Sequence, residues 1–460
     1  MYNPKSLKAE EFISDEEIRE TLAYADANKE NVALIDQILA EGKGSEGFRA
    51  CLNVQREQIV RLPLDYPFTF DEAVAFAQRQ APDFTADELR ALEEAGRIDW
   101  IYINGVPHYF NRFFENLCEV DKTYAVRAGL ADMNGDNDGI EYRLERMSVM
   151  KERGGYSQRL RIKARVRIKD EAFRPGERVM VHLPLPAACE EQSDIRIERM
   201  FPENGAADAE NAPQRTVCWQ ETMTENHPFE VEYSYTYTGR YVDAWNAVPD
   251  AQQPDFFTEE IPPHIMFTPY IRDLVKVLSE GAENNLEKAQ RFYKFVTENV
   301  KYSFSRAYFG LESIADSCAR NLVGDCGIQA TLFITLCRCA GIPARWESGL
   351  AAGPVGNCGA HDWAKVYIAP LGWFPVDLSR GGTAFARGKE ELQKFYFGNL
   401  ECDRMVANRT VQADFGIPKQ HWRADPYDNQ VGEIETAERA LDYSEYDRSK
   451  ETLADDELPL

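Results

Sequence analysis

The chain of 460 residues contains no run of about 18 consecutive apolar residues, so nothing in it reads as a membrane-spanning helix. Its opening, Met1 to Phe12, lacks the apolar stretch of a secretory signal, and the expected location is the cytoplasm. Basic residues are in short supply: 52 Lys and Arg face 77 Asp and Glu, a net charge of −25. That surplus repels phosphate backbones and anionic lipid, so neither nucleic acid nor a membrane surface is expected as a partner. Cysteine is scarce as well, ten residues in all, too few for a small disulfide-stapled scaffold and read as free thiols in a reducing compartment. There is no internal repeat and no low-complexity tract. What remains, 44% hydrophobic and 28% charged, is an ordinary globular composition with length for several domains.

Residues 1–150 read as a mainly helical N-terminal domain. Ser14-Asp15-Glu16-Glu17 and Thr85-Ala86-Asp87-Glu88 are capping boxes that open helices, the second stopping near Gly96. Asn104-Gly105 between apolar residues predicts a hairpin over Trp100 to Phe110. Two short helices and a hairpin resemble a winged-helix arrangement, but the second helix carries Glu88, Glu93 and Glu94 and is too acidic to read a DNA groove. Asn134 to Glu145 approximates a calcium-loop spacing; its first position is Asn, and an Asx-rich turn explains the same residues, so no metal is expected there.

From 151 the period changes to two. Leu160, Ile162, Ala164, Val166 and Ile168 alternate with Arg159, Arg161, Lys163, Arg165 and Arg167, a strand with a buried face and a basic, solvated one. With similar runs at Val179–Leu183 and Phe229–Tyr237, residues 151–241 read as an antiparallel β-sandwich-like domain. The proline-bearing stretch 242–264 reads as a linker. Residues 265–425 mix helices and strands, and 426–460 read as a mobile acidic tail, with ten acidic and three basic residues after Val431.

The chemistry concentrates in 265–425. Gly324-Asp325-Cys326-Gly327 runs into a helix that ends at Gly341-Ile342-Pro343, which puts Cys326 in its first turn. Unpaired backbone N–H groups and the positive end of the helix dipole favour a thiolate there, and the two small glycines leave room for a substrate carbonyl. His361 lies in Gly359-Ala360-His361-Asp362-Trp363-Ala364-Lys365-Val366-Tyr367, an alternating strand. A turn at Pro370-Leu371-Gly372 leads to Asp377 on a neighbouring strand, within reach to orient the imidazole. Cys337 and Cys339, one residue apart on a helix, diverge and do not form a zinc pair.

In this order, Asn299-Val300-Lys301-Tyr302, Cys326 at a helix start, Gly341-Ile342-Pro343-Ala344-Arg345, His361 before Trp363, and Asp377 resemble the core of the transglutaminase-like superfamily. The likeness covers about Phe292 to Gly382. It implies an α+β fold, a papain-type core in which the Cys-bearing helix packs on an antiparallel sheet, and a Cys326-His361-Asp377 triad forming a thioester acyl-enzyme. Tyr302 is the candidate oxyanion side chain; Gln329, one helical turn on, reads as a cap or packing residue. The expected function is a cysteine hydrolase cleaving amide bonds in a peptide or protein substrate, with no cofactor. The rivals are a protein-glutamine acyltransferase, which would cross-link or incorporate amines, and a non-catalytic scaffold.

Overall fold

The computed structural model describes residues 29–130, 139–356, 358–411, 413–421 and 430–460. The capping box at Ser14 and most of the calcium-like loop lie outside them. The chain divides into two compact units, 1–135 and 136–460.

In the first unit, α1 (Lys29–Ala40) and α2 (Glu46–Asp65) pack through Ile35, Ile38, Phe48 and Leu52. The helices α3 (Phe70–Gln80) and α4 (Ala86–Glu94) both start in capping boxes, Thr69 with Glu72 and Thr85 with Glu88. Strands β1 (Trp100–Ile103) and β2 (Val106–Tyr109) form the expected hairpin. Asn104 and Gly105 at its tip have φ of 54° and 78°, the left-handed pair that a two-residue turn requires. Two short helices, α5 (Phe113–Val120) and α6 (Lys122–Arg127), complete the unit.

In the second unit, α7 (Ile140–Arg153) leads into β3 (Gly155–Ile168). The sequence groups α7 with the N-terminal helices, but Ile140 and Met150 belong to the second unit's core. Two four-stranded antiparallel sheets make the β-domain. One orders β14-β3-β8-β5, the other β13-β4-β7-β6, where β4 is Glu177–Pro184, β5 Gln192–Phe201, β6 Ala206–Ala207, β7 Thr216–Met223 and β8 Phe229–Arg240. The remaining members, β13 (Glu433–Thr436) and β14 (Tyr446–Leu458), come from the stretch read as a mobile tail, and that expectation is corrected. Apolar alternation is weak in β14 because it is an edge strand, held by backbone pairing and by charge. Its register sets Asp447 opposite Arg167, Glu451 opposite Lys163 and Asp456 opposite Arg159. From the other flank, Glu230 and Glu232 of β8 pair with Arg165, Lys163 and Arg161, so the basic face of β3 is neutralised by cross-strand carboxylates.

The stretch 242–264 is not a free spacer. Trp245 donates its indole N–H to the Lys394 carbonyl at 2.6 Å and packs on Tyr293 and Phe397, while His264 is buried. Beyond it come α8 (Pro269–Leu278), α9 (Asn285–Asn299), α10 (Ile314–Asn321) and α11 (Cys326–Cys339). A third sheet orders β11-β10-β9-β12, from β9 (Ala344–Ala351), β10 (Gly359–Ile368), β11 (Gly372–Val376) and β12 (Arg404–Asn408); between β11 and β12 lie α12 (Leu378–Ala386) and α13 (Glu390–Phe395). Every residue of α11 from Gly327 to Arg338 is buried, since the sheet covers one side and α8, α9, α10 and α12 pack around the others. This is why apolar residues recur on every side of it, and its buried Gln329, Thr335 and Arg338 donate to backbone carbonyls. Among the described residues no helix is long and apolar enough to cross a membrane.

Candidate active site

Cys326 is the first residue of α11. The N-cap is Asp325, whose carboxylate accepts from the Ile328 N–H at 2.9 Å, from the Ser305 hydroxyl at 3.2 Å and from the Tyr308 hydroxyl. The Cys326 N–H makes no hydrogen bond among the described residues, as expected for a first-turn donor. Neither glycine beside it leaves free space. A Cβ on Gly327 would stand 2.3 Å from the Tyr308 hydroxyl and 2.7 Å from the Trp346 ring, and one on Gly324 2.4 Å from Ile328. Both are small because neighbours fill the volume, which corrects the expectation of a vacant approach.

The strand β10 carries the rest. Consecutive residues leave a strand on opposite faces, so Asp362, Ala364 and Val366 point one way and His361, Trp363 and Lys365 the other. Asp362 lies on the α11 face, and the Cys326 thiol donates to its Oδ2 at 3.3 Å. Gln430, from beyond β12, donates to Asp362 Oδ1 at 2.7 Å and to the His361 carbonyl at 2.8 Å, fixing this stretch of backbone. On the other face, His361 Nε2 lies 2.8 Å from Asp377 Oδ2. Asp377 also N-caps α12, with Oδ1 accepting from the Arg380 N–H at 3.0 Å, and Oδ2 accepting from Arg404 Nη2 at 2.9 Å. The structure thus joins His361 to Asp377 and Cys326 to Asp362. No hydrogen bond joins Cys326 to His361, because α11 packs on the face that carries Asp362.

Electrostatics follow from burial. Burial and the carboxylates of Asp362 and Asp325 push the Cys326 thiol well above its ordinary range, against the dipole of α11. The thiolate expected from the helix terminus is therefore replaced by a neutral S–H. Burial pulls His361 down to about 4 although Asp377 opposes it. Burial works to raise the Asp377 carboxyl, but His361 and Arg404 outweigh it and hold it well below the usual carboxylate range. An ionised Asp377 only accepts, so His361 Nε2 carries the proton and Nδ1 is a bare acceptor with no partner among the described residues.

Tyr302 lies near the sulfur, with its ring edge-on to Phe304. Burial and the neighbouring Cys326 and Asp325 keep that phenol protonated, hence a donor. Gln329 spends its amide on the Gly324 carbonyl at 2.9 Å and caps, as expected. Sequence reasoning missed Asp362, Gln430 and Arg404. Asp362 had a visible signal, an acidic residue next to the histidine in an apolar strand; the other two are brought in by distant segments.

Behind His361, Lys365 is fully buried and donates to Glu191 at 2.7 and 2.8 Å, with Glu190 at 3.5 Å and Glu347 at 3.6 Å. Glu347 also accepts from the Trp363 indole at 3.0 Å. Among the described residues one group has metal-ligand spacing, Cys189, Glu190 and Glu191, but there Lys365 and Arg345 already supply the positive charge.

Residues 272–378 match the model of the transglutaminase-like superfamily, and this segment is a transglutaminase-like core. Two curated proteins are similar to the chain. The uncharacterized protein YebA of Bacillus subtilis (strain 168) is 24% identical over 170 residues, 32% of this chain and 20% of the relative. An uncharacterized protein of Haemophilus influenzae is 22% identical over 182 residues, 33% of this chain and 49% of the relative. The chain therefore spans about a fifth and about half of the length of these relatives. A crystal structure from Cytophaga hutchinsonii, provisionally designated a cysteine protease, is 16% identical and covers 66% of this chain and 93% of its own, with a TM-score of 0.43.

Proposed function

We propose that the protein is a thiol-dependent amide hydrolase acting on a peptide or protein. The observation that carries this reading is the position of Cys326 in the first turn of a buried helix, packed on the strand that carries His361, whose ring pairs with Asp377. In the resting molecule the proton sits on sulfur and the imidazole is neutral. Because the thiol and His361 rest on opposite faces of β10, attack requires a rearrangement that takes the S–H from Asp362 and brings His361 Nδ1 to the sulfur. Sulfur then bonds the carbonyl carbon as Nδ1 takes the proton, and Asp377 stabilises the imidazolium. The Cys326 N–H and the Tyr302 hydroxyl serve the oxyanion. Collapse breaks the C–N bond, the amine leaves with the imidazolium proton, and water, deprotonated by the same nitrogen, cleaves the thioester.

A second reading rests on the 3.3 Å contact of the sulfur with Asp362: that carboxylate, not His361, takes the thiol proton. One experiment separates them. With p-nitrophenyl acetate, mass spectrometry should find a thioester on Cys326, absent in Cys326→Ala and formed at least 100-fold more slowly in His361→Ala. If instead Asp362→Asn abolishes acylation and His361→Ala does not, the second reading holds. Acetylation of the other thiols as fast as Cys326 overturns both.

A further inference from the structure

On the His361 face, beyond the His361–Asp377 pair, lies a cavity of about 330 Å³ lined by Ala360, Arg143, Arg380, Arg404, Glu401 and Asp403. Three guanidinium groups meeting in one small cavity is costly unless anions answer them. Two carboxylates near them are spent. Glu401 accepts from the Tyr396 hydroxyl and from Arg404 at 2.7 Å, and pairs with Arg143 at 3.5 Å. Asp377 accepts from His361, Arg404 and the Arg380 N–H. The third, Asp403, lies 3.8 Å from Arg404 Nε, too far for a hydrogen bond.

What remains unmet is donor capacity. Arg404 is 1% exposed, yet its Nε and Nη1 have no hydrogen-bond partner; nor do Nη1 of Arg143 and Nε of Arg380, all of these atoms buried among the described residues. No carboxylate oxygen of the cavity is among the buried atoms left without a partner. The missing group is therefore an acceptor, and a planar carboxylate suits guanidinium forks best.

Arg380, through its backbone N–H, and Arg404, through its guanidinium, both also hold Asp377, so these residues are fixed in place. We propose that this cavity is a subsite for a small carboxylate, taken by Arg143, Arg380 and Arg404. The ligand class is then an acidic side chain or a chain-terminal carboxylate of a peptide. Its size, at the lower end of ligand pockets, suits one such residue.

Calorimetric titration of the full chain tests this with four probes: N-acetylglycine, N-acetylglycinamide, N-acetylaspartic acid amide and inorganic phosphate. At least one carboxylate probe should bind saturably and at least tenfold more tightly than N-acetylglycinamide. N-acetylglycine winning indicates a chain terminus, the aspartate probe a side chain. Arg143→Gln should weaken that binding at least tenfold and Arg143→Lys less, with circular dichroism unchanged; Arg380→Gln replaces it if the first variant does not fold. Equal binding of N-acetylglycinamide, binding of phosphate alone, or an unchanged affinity in the folded Arg variant overturns the proposal. The readout is binding, so the two readings fail separately. Carboxylate binding without acylation of Cys326 sinks only the hydrolase, and acylation without carboxylate binding sinks only the subsite.

Discussion

A neutral imidazole buried beside cationic Arg404 and Arg380 resists a second proton, and His361 carries that resistance into the stability of the fold. In the unfolded chain a histidine titrates near 6.5; in the folded one His361 lies at about 4. Between those values the unfolded chain binds more protons, so stability is lost as pH falls from about 6.5 towards 4. From pH 7 to pH 5 the loss from this one group is about 2 kcal/mol. Urea unfolding should show the difference between pH 7 and pH 5 shrinking by about that amount in His361→Gln; an unchanged difference would mean the imidazole is not kept neutral. Cys326 offers a second check at the same scale. Its labelling by iodoacetamide should begin only above the pH of an ordinary thiol, and Asp362→Asn should move the onset down by removing a like charge. The sequence displayed Cys326, His361 and Asp377 through their order, but not the thiol's contact. That depends on which face of β10 meets α11, a one-residue matter of register of which the acidic Asp362 in an apolar strand was the one visible sign.

Among the elements, those governed by local rules were legible. The Thr85 capping box, the Asn104-Gly105 turn and the alternation of β3 each act over a few residues, and each formed where the sequence placed it. Residues 446–458 were not legible, because their order comes from a partner strand nearly 300 positions away. Only Tyr446 and Thr452 of β14 are buried among small fractions of exposure, 2% and 0%. Ending the chain after residue 440 should therefore strip an edge from the sheet and expose the backbone of β3. The expected result is lost solubility or a fall in melting temperature of several degrees, read by circular dichroism and light scattering. A truly mobile tail would leave both unchanged. The stretch 242–264 shows the converse: its prolines signalled a spacer, while Trp245 lies against the core.

Across the whole second unit, the Lys365 cluster ties the core sheet to the β-domain. The cation comes from β10 and two of its carboxylates, Glu190 and Glu191, from the connection into β5. Removing the cation strands several carboxylates at once. Lys365→Met should destabilise the fold by about 3–5 kcal/mol, measured by urea unfolding, with part of the loss recovered when Glu191→Gln is added. The pairing of β3 with β14 has a further consequence, in time rather than in energy. On a ribosome adding roughly 5–20 residues per second, β3 waits between about a quarter of a minute and a minute for its partner. During that interval β8 already supplies Glu230 and Glu232 to the basic residues of β3, but the flank that later takes β14 has no partner strand. The nascent protein therefore carries, for that interval, an open backbone edge that the finished molecule no longer shows.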